Sequence, residues 1–362
     1  MSWTTTTLGE VTDLKRGFDL PASKRVSGKY PVYSSSGKTG THDKYMVEGP
    51  CVITGRYGTI GKVFYSSNSC WPLNTSLYSC DFNGNNPRFV YYLLQTIPWS
   101  EYTTASAVPG VNRNHVNLHK VTVPDKITQD RIAYLLDSIT SKIELNSRIN
   151  GYLGTLCESI AAKACSKPDG ALSDICIQVT DKTSFDSTDI ETYVSTESLL
   201  QNKGGRQTAS SLPAAGKVTC YRRGDTLVSN IRPYFKKIWF ASNDGTCSGD
   251  VLVFRANEVS NAAYLYSCLR QDSFFDHVMR GAKGTKMPRG DKKQVMNFPI
   301  AFRCDESDLA VLNSVVEQMA MNDAKSARLA ELCDALLPKL MSGEIDVSKV
   351  DLTQLNSHLS DC

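Results

Sequence analysis

The sequence predicts a mixed α/β protein in which one unit is used twice, each copy followed by a long amphipathic helix. Two observations carry this. Residues 127–164 align with 303–340 at a constant offset, 312 − 136 = 176, which pairs Leu136 with Leu312, Ile139 with Val315, Ile143 with Met319, Asn146 with Asn322, Leu153 with Leu329 and Cys157 with Cys333. Upstream the order repeats with drifting offsets: Pro124 with Pro299 and residues 62–65 with 237–240 (299 − 124 = 175), Pro109 with Pro288 (288 − 109 = 179), and Leu8 with Leu172 (172 − 8 = 164). A repeat near 175 residues is far longer than the roughly 20 to 50 residues of a stacked solenoid unit, so it implies whole domains. Drifting offsets are what edited surface loops produce. A two-fold protein suggests a ligand in two parts.

Within each copy, short apolar runs bounded by Gly and Asn clusters read as strands. In the first they cover residues 30–34, 50–54, 62–65, 76–80 and 121–124; in the second, 217–221, 226–229, 237–241, 250–255 and 297–300. Residues 88–95 and 262–271 carry apolar positions three and four apart and read as one short helix per copy. The long helices read differently. Ile132, Leu136, Ile139 and Ile143 follow a 4, 3, 4 spacing, and Leu153, Leu156 and Ile160 resume it after an interruption at Asn146. Asn322 occupies the same step of the second helix. A buried asparagine in a coiled-coil seam fixes register, so Asn146 and Asn322 are candidates for aligning the two helices, unless both face solvent.

With 362 residues, 41% hydrophobic and 21% charged, the chain can bury two cores. No apolar run reaches the length of a membrane span, and the opening MSWTTTTLGE has no basic segment followed by an apolar one, so neither membrane nor signal peptide is expected. The 12 cysteines are dispersed, with no C-x-x-C, which favours free thiols and a cytoplasmic location. That scatter, with only 5 histidines, argues against a structural metal site. The net charge of +3 is unevenly spread: residues 1–126 carry 13 Lys+Arg against 8 Asp+Glu and residues 169–304 carry 18 against 14, whereas residues 305–362 carry 4 against 11. Basic repeat units with an acidic end fit a polyanion bound by the units and not by the closing helix, although a solvated charged face produces the same imbalance.

Two loops carry the chemistry. Residues 279–293 hold six cations, among them Lys283, Lys286 and Arg289, between Gly281, Gly284 and Gly290. Glycine backbone lets cations approach a duplex, where they contact phosphates or guanine edges. The corresponding loop, residues 105–115, offers Asn112, Arg113, Asn114 and His115, whose donors and acceptors distinguish bases. Arg56 and Tyr57, and Arg232 and Tyr234, occupy equivalent turns, where they either face DNA or pack their own domain. Catalytic motifs fail. Gly37, Lys38 and Thr39 mimic the end of a phosphate-binding loop, but Val32 stands where its first glycine belongs; Gly55, Gly58 and Gly61 do not give G-x-G-x-x-G. No Pro-Pro pair exists for the Pro-Pro-aromatic motif of amino-methyltransferases, and no Pro-Asp lies shortly upstream of the D-x-K runs at Asp13, Asp291 and Asp323. No catalytic residue or metal ligand is proposed.

Six motifs in order carry a family resemblance: GKYPVYSSSG (28–37), TGRYGTIGKV (54–63), VTVPDKITQDRIA (121–133), SNIRPYFKKI (229–238), GAKGTKMPRGD (281–291) and LLPKLMSGEIDV (336–347). Over about residues 1–350 the chain resembles the specificity subunit of type I restriction-modification systems. One departure is that Pro124 and Gln129 give a Pro-x-x-x-x-Gln approach to the first helix, and residues 303–308 have neither. The resemblance implies two mixed α/β target recognition domains in a pseudo-two-fold repeat, joined and followed by long antiparallel coiled-coil helices. The domains would be 1–126 and 169–304, and the helical arms 127–168 and 305–362. It further implies a non-catalytic subunit that recognises a bipartite site on double-stranded DNA. Such a subunit holds two modification (methyltransferase) subunits, which use S-adenosylmethionine and flip the target adenine, and restriction (nuclease and translocase) subunits. No cofactor is expected in this chain. The competing readings are a stand-alone DNA-binding regulator and a free-standing DNA-modifying enzyme. A chain that binds DNA without partners supports the first, and one that alone binds a methyl donor or cuts DNA supports the second.

Overall fold

A computed structural model of the chain describes residues 2–103 and 109–352. It divides into two compact units, the first formed by Met1–Ile143 with Ala327–Cys362, the second by Glu144–Ser326. Two long helices, Lys126–Ala164 and Glu306–Ser342, therefore each contribute one part to either unit. The fold is the mixed α/β class with long paired helices that the repeat implied.

The first unit is built on a four-stranded antiparallel sheet whose spatial order is Lys15–Arg16, Ser76–Ser79, Cys51–Gly55, Val63–Ser66. The central strand Cys51–Gly55 is buried along its whole length, as expected where both faces are covered. A second sheet places Tyr30–Ser34 between Gly37–His42 and Trp71–Pro72. The helix Pro87–Gln95 starts where Asn86 accepts the backbone N–H groups of Arg88 and Phe89, with proline at its first turn, and buries Phe89, Val90, Leu93 and Leu94. A two-stranded ribbon, Trp3–Thr7 against Lys120–Pro124, brings the start of the chain to the foot of the first long helix. The core takes in Ile132, Leu136, Leu340 and Val347, so the end of the second long helix and the segment after it complete this unit. Arg131 donates to the carbonyls of Val347 (3.2 Å from Nε) and Val350 (2.8 Å from Nη2), tying that segment down.

The second unit repeats the plan. Its principal sheet runs Cys176–Gln178, Val251–Ala256, Thr226–Ser229, Ile238–Phe240, the same order of equivalent strands. Its ribbon is Gly170–Ala171 against Pro299–Ile300. Its other sheet has four strands, Lys182–Ser184, Lys217–Tyr221, Gly245–Cys247 and Tyr193–Val194, where the first unit has three. The Leu8 and Leu172 equivalence is visible in detail. Both begin a four-residue helix, both are fully buried, and their N–H groups donate at 2.8 Å to the carbonyls of His119 and Phe298 respectively. The acid of each helix, Glu10 or Asp174, accepts the N–H of the residue preceding it, Thr7 (2.9 Å) or Ala171 (2.8 Å).

The second long helix lacks the proline and glutamine of the first but keeps its aspartate cap. Asp305 accepts from Ser307 N at 2.9 Å, as Asp125 accepts from Thr128 N at 2.9 Å. In the first helix Gln129 additionally bridges Asn86 N and Pro124 O, fixing its approach.

Asn146 and Asn322 are both buried in the helix seam, which excludes the solvent-facing alternative, but they do not bond to each other. Asn146 Nδ2 donates to Ser326 Oγ (3.1 Å), and Asn322 Nδ2 donates to Asn150 Oδ1 (2.8 Å). The reason is the antiparallel direction: contacts keep a constant sum of residue numbers, 146 + 326 = 150 + 322 = 472, whereas 146 + 322 = 468 is one helical turn away. Because Ser326 is the repeat equivalent of Asn150 at offset 176, the duplicated helix makes the same polar contact twice.

Candidate nucleic-acid interface

In the first unit, an open cleft of about 620 Å³ lies where the strand ending at Gly55 turns toward Gly110. Its cations are Lys15, Arg16, Arg56 and Arg113, its neutral polar groups Tyr57, Asn112 and Asn114; among the described residues no carboxylate lines it. None of the four cations makes an ion pair among the described residues. A concave surface with several cations and no acid is electrostatically suited to phosphate.

The floor is stiff for reasons the chain states locally. Arg56 N donates to Thr75 O (2.9 Å) and Arg56 O accepts from Val111 N (3.0 Å). The Arg56 guanidinium lies 4.5 Å from the centre of the Tyr57 ring. That ring rests on Gly110, where a Cβ would come within 2.2 Å of Tyr57 Cε1, so only glycine fits opposite it. Tyr57 thus both packs its own unit and faces the cleft.

Asn112 has a structural duty: its side chain caps the helix Arg113–Asn117 by accepting from Asn114 N at 3.1 Å. Arg113 and Asn114 are exposed at the cleft. His115 is exposed on the same helix but is not among the lining residues. Residues 105–108 of the expected loop lie outside the described residues. Lys15 and Arg16 belong to no motif of the sequence. They are adjacent cations on an outer strand, and the available signal was only their charge.

The second unit has the same backbone framework with different side chains. Gly290 N donates to Asn230 O (3.3 Å) as Val111 N donates to Arg56 O, and the bridge Ile231 to Arg289 matches the bridge Tyr57 to Gly110. By this register Asn230 and Ile231 stand where Arg56 and Tyr57 do, and Arg232 falls one residue further on. Arg232 takes a left-handed backbone (φ 50°), with its N–H on Pro288 O at 2.8 Å. Its Nε is buried without a partner in the described structure. Tyr234 is exposed and packs its ring beside Phe235 (4.6 Å between centres).

The basic loop of the second unit closes on itself. Lys283 and Arg289 exchange two backbone hydrogen bonds of 2.9 Å each, and their side chains are paired with acids, Lys283 with Asp291 (3.3 Å) and Arg289 with Asp250 (3.1 Å). Lys286 is exposed at the tip and makes no ion pair among the described residues. Asp291 also caps the helix Lys292–Met296. The backbone N–H of Gln294, the Lys283 ammonium and the backbone N–H of Lys293 together hold its carboxyl below the usual carboxylate range.

On the first long helix, Leu145, Ile149, Tyr152 and Leu156 are exposed at 45%, 36%, 68% and 42%, a 4, 3, 4 spacing that makes one apolar stripe on the helix surface. No described helix is long and apolar enough to cross a membrane, no group of three metal-ligating side chains occurs among the described residues, and the 11 cysteines there are free.

The comparisons agree with this reading of the fold. Residues 1–153 match the type I restriction modification DNA specificity domain. The specificity subunit of the Escherichia coli type I restriction enzyme EcoDI is 24% identical over 129 residues, 34% of this chain and 29% of that protein's length. A solved type I restriction-modification S subunit from M. genitalium shares the fold at 15% identity, with a TM-score of 0.55 over 94% of this chain and 96% of that one. The HsdS subunit from Thermoanaerobacter tengcongensis aligns over 95% and 97% of the two chains, also at 15% identity, with a TM-score of 0.33. Residues 1–153 therefore carry the match to a type I restriction modification DNA specificity domain, and the chain as a whole shares the fold of a solved S subunit.

Proposed function

We propose that this chain is the non-catalytic recognition subunit of a methyltransferase and endonuclease complex, reading a bipartite target in double-stranded DNA with one half-site per unit. The observation that carries it is the cleft of the first unit, four cations and no carboxylate on a hydrogen-bonded floor, together with the same backbone framework presenting a basic loop in the second. Phosphate contacts to such cations position a duplex, and the asparagines and arginines beside them supply base-edge donors.

The scaffolding role rests on the helices. The exposed stripe of Leu145, Ile149, Tyr152 and Leu156 has the spacing that packs against a further helix, and two modification subunits are its proposed partners, with restriction subunits joining them. S-adenosylmethionine belongs to the modification subunits in this reading, and the complex works in the cytoplasm. Co-expression with the neighbouring subunits, followed by mapping of methylated adenines, should return one motif of two short blocks with an unread gap. A single contiguous motif would overturn the bipartite reading. A chain that binds DNA but never co-purifies with a modification subunit would be a stand-alone regulator.

A further inference from the structure

Resting on the reading of the chain as a DNA-recognition subunit, we propose that the first unit's cleft divides recognition between two sets of cations: Arg56 reads a base edge, and Lys15 with Arg16 clamps the phosphate backbone beside it. The division follows from how each side chain is held.

Arg56 is preorganised. Its backbone is bonded on both sides, to Thr75 O and from Val111 N, and its guanidinium carbon lies over the Tyr57 ring, 4.5 Å from its centre, with the ring located by Gly110. Base reading demands a donor pair held in place, and an arginine already seated over an aromatic ring loses little freedom on meeting a guanine edge. Lys15 and Arg16 are held otherwise. They lie on a two-residue outer strand, paired through the backbone to Tyr78 and Leu77, and both side chains are exposed. Long, mobile cations suit phosphates, which carry charge without sequence information. Among the described residues no acid lines the cleft, and neither cation makes an ion pair.

The second unit supports the assignment by contrast. At the place of Arg56 stands Asn230, buried, and on the next rung the opposite strand carries Arg289 at the position of Gly110. Each unit thus places one arginine at this ladder, on adjacent rungs and on opposite strands. The two half-sites are expected to differ in sequence.

The test uses the full chain and a random-sequence duplex library, with a fixed duplex taken from the selected pool for titrations in salt. K15A/R16A should make the log-log salt dependence shallower by about 1.8, at ~0.9 per lost phosphate contact, and leave the selected sequence unchanged. Arg56→Ala should relax one position of one half-site by roughly 5- to 150-fold, the equivalent of one good base contact. Arg56→Lys keeps the charge but not the planar pair of donors, so it should preserve the salt slope while still losing preference. Thermal unfolding of each variant accompanies the binding data, and the folded fraction alone is compared. Relaxed sequence choice in K15A/R16A, or unchanged choice in both Arg56 variants, would overturn the division. Wild-type chain that binds no duplex in the library would instead overturn the DNA-recognition reading on which it rests.

Discussion

Asn322 donates through Nδ2 to Oδ1 of Asn150 at 2.8 Å, and Asn150 in turn donates to Asp323 Oδ1 at 2.7 Å and to the Met319 carbonyl at 3.1 Å. The seam between the long helices is therefore interrupted by a connected polar network, and satisfying it defines one antiparallel register. Replacing Asn322 by leucine leaves the Asn150 carbonyl without its donor, a cost of about 1 to 3 kcal/mol. In a double-mutant cycle with Asn150→Leu, the urea-unfolding coupling should be ~0.5 kcal/mol or more; additive effects would show that the pair does not set the register.

The composition of the first unit bears on domain exchange. Replacing residues 1–126 by the matching unit of a relative should change one methylated half-site and leave the other. Because Leu340 and Val347 are buried in this unit and Gly343 lies against Trp3, the exchange should express best when residues 327–352 are taken from the same relative. Equal solubility of both chimaeras would show that the packing is interchangeable. Simultaneous change of both half-sites would show that the units do not read independently.

The basic loop of the second unit contains its own competitors. Lys286→Ala should make the salt dependence of DNA binding shallower by about 0.9, since this lysine has no acid to leave. Asp250→Asn frees Arg289 and should tighten binding to non-specific duplex at low salt. Weaker binding by that variant, measured by fluorescence anisotropy, would show that Asp250 positions Arg289 instead of screening it.

Asp291 gives the loop a pH dependence of known sign. Its folded carboxyl is depressed, so its contribution to loop and helix-cap stability is complete above the ordinary carboxylate value and is lost as pH falls through the depressed one. Amide exchange of Gln294 and Lys293 should therefore rise in acid beyond the change in intrinsic rate, and Asp291→Ala should show that faster exchange already at neutral pH. Acid-independent protection of both amides would remove Asp291 from the cap.

The apolar stripe on the first long helix should be needed for assembly and not for folding. Leu145→Glu with Ile149→Glu should leave the unfolding temperature nearly unchanged, both positions being exposed, while abolishing co-purification with modification subunits. Retained assembly would move the docking surface elsewhere.

The repeat, the mixed α/β class and the long helices are legible in the chain alone, because these rest on local periodicity and turn chemistry. Tyr30–Ser34, Lys217–Tyr221 and Thr226–Ser229 occupy the bounds their apolar runs predict, and Leu8 and Leu172 make equivalent hydrogen bonds. Tertiary structure alone decided what depends on chain direction and on distant residues meeting. Equivalence at offset 176 matched Asn146 with Asn322, but antiparallel packing adds residue numbers instead of subtracting them, so each meets the partner one turn away. The same applies to the candidate interface. Nothing local links Lys15 and Arg16 to Arg56 and Asn112; the sheet brings them to one cleft, and Gly110 is needed there only because the Tyr57 ring lies across it. Conversely, the cations from Lys283 to Arg289 looked equivalent along the chain, and only folding set Asp250 and Asp291 beside two of them.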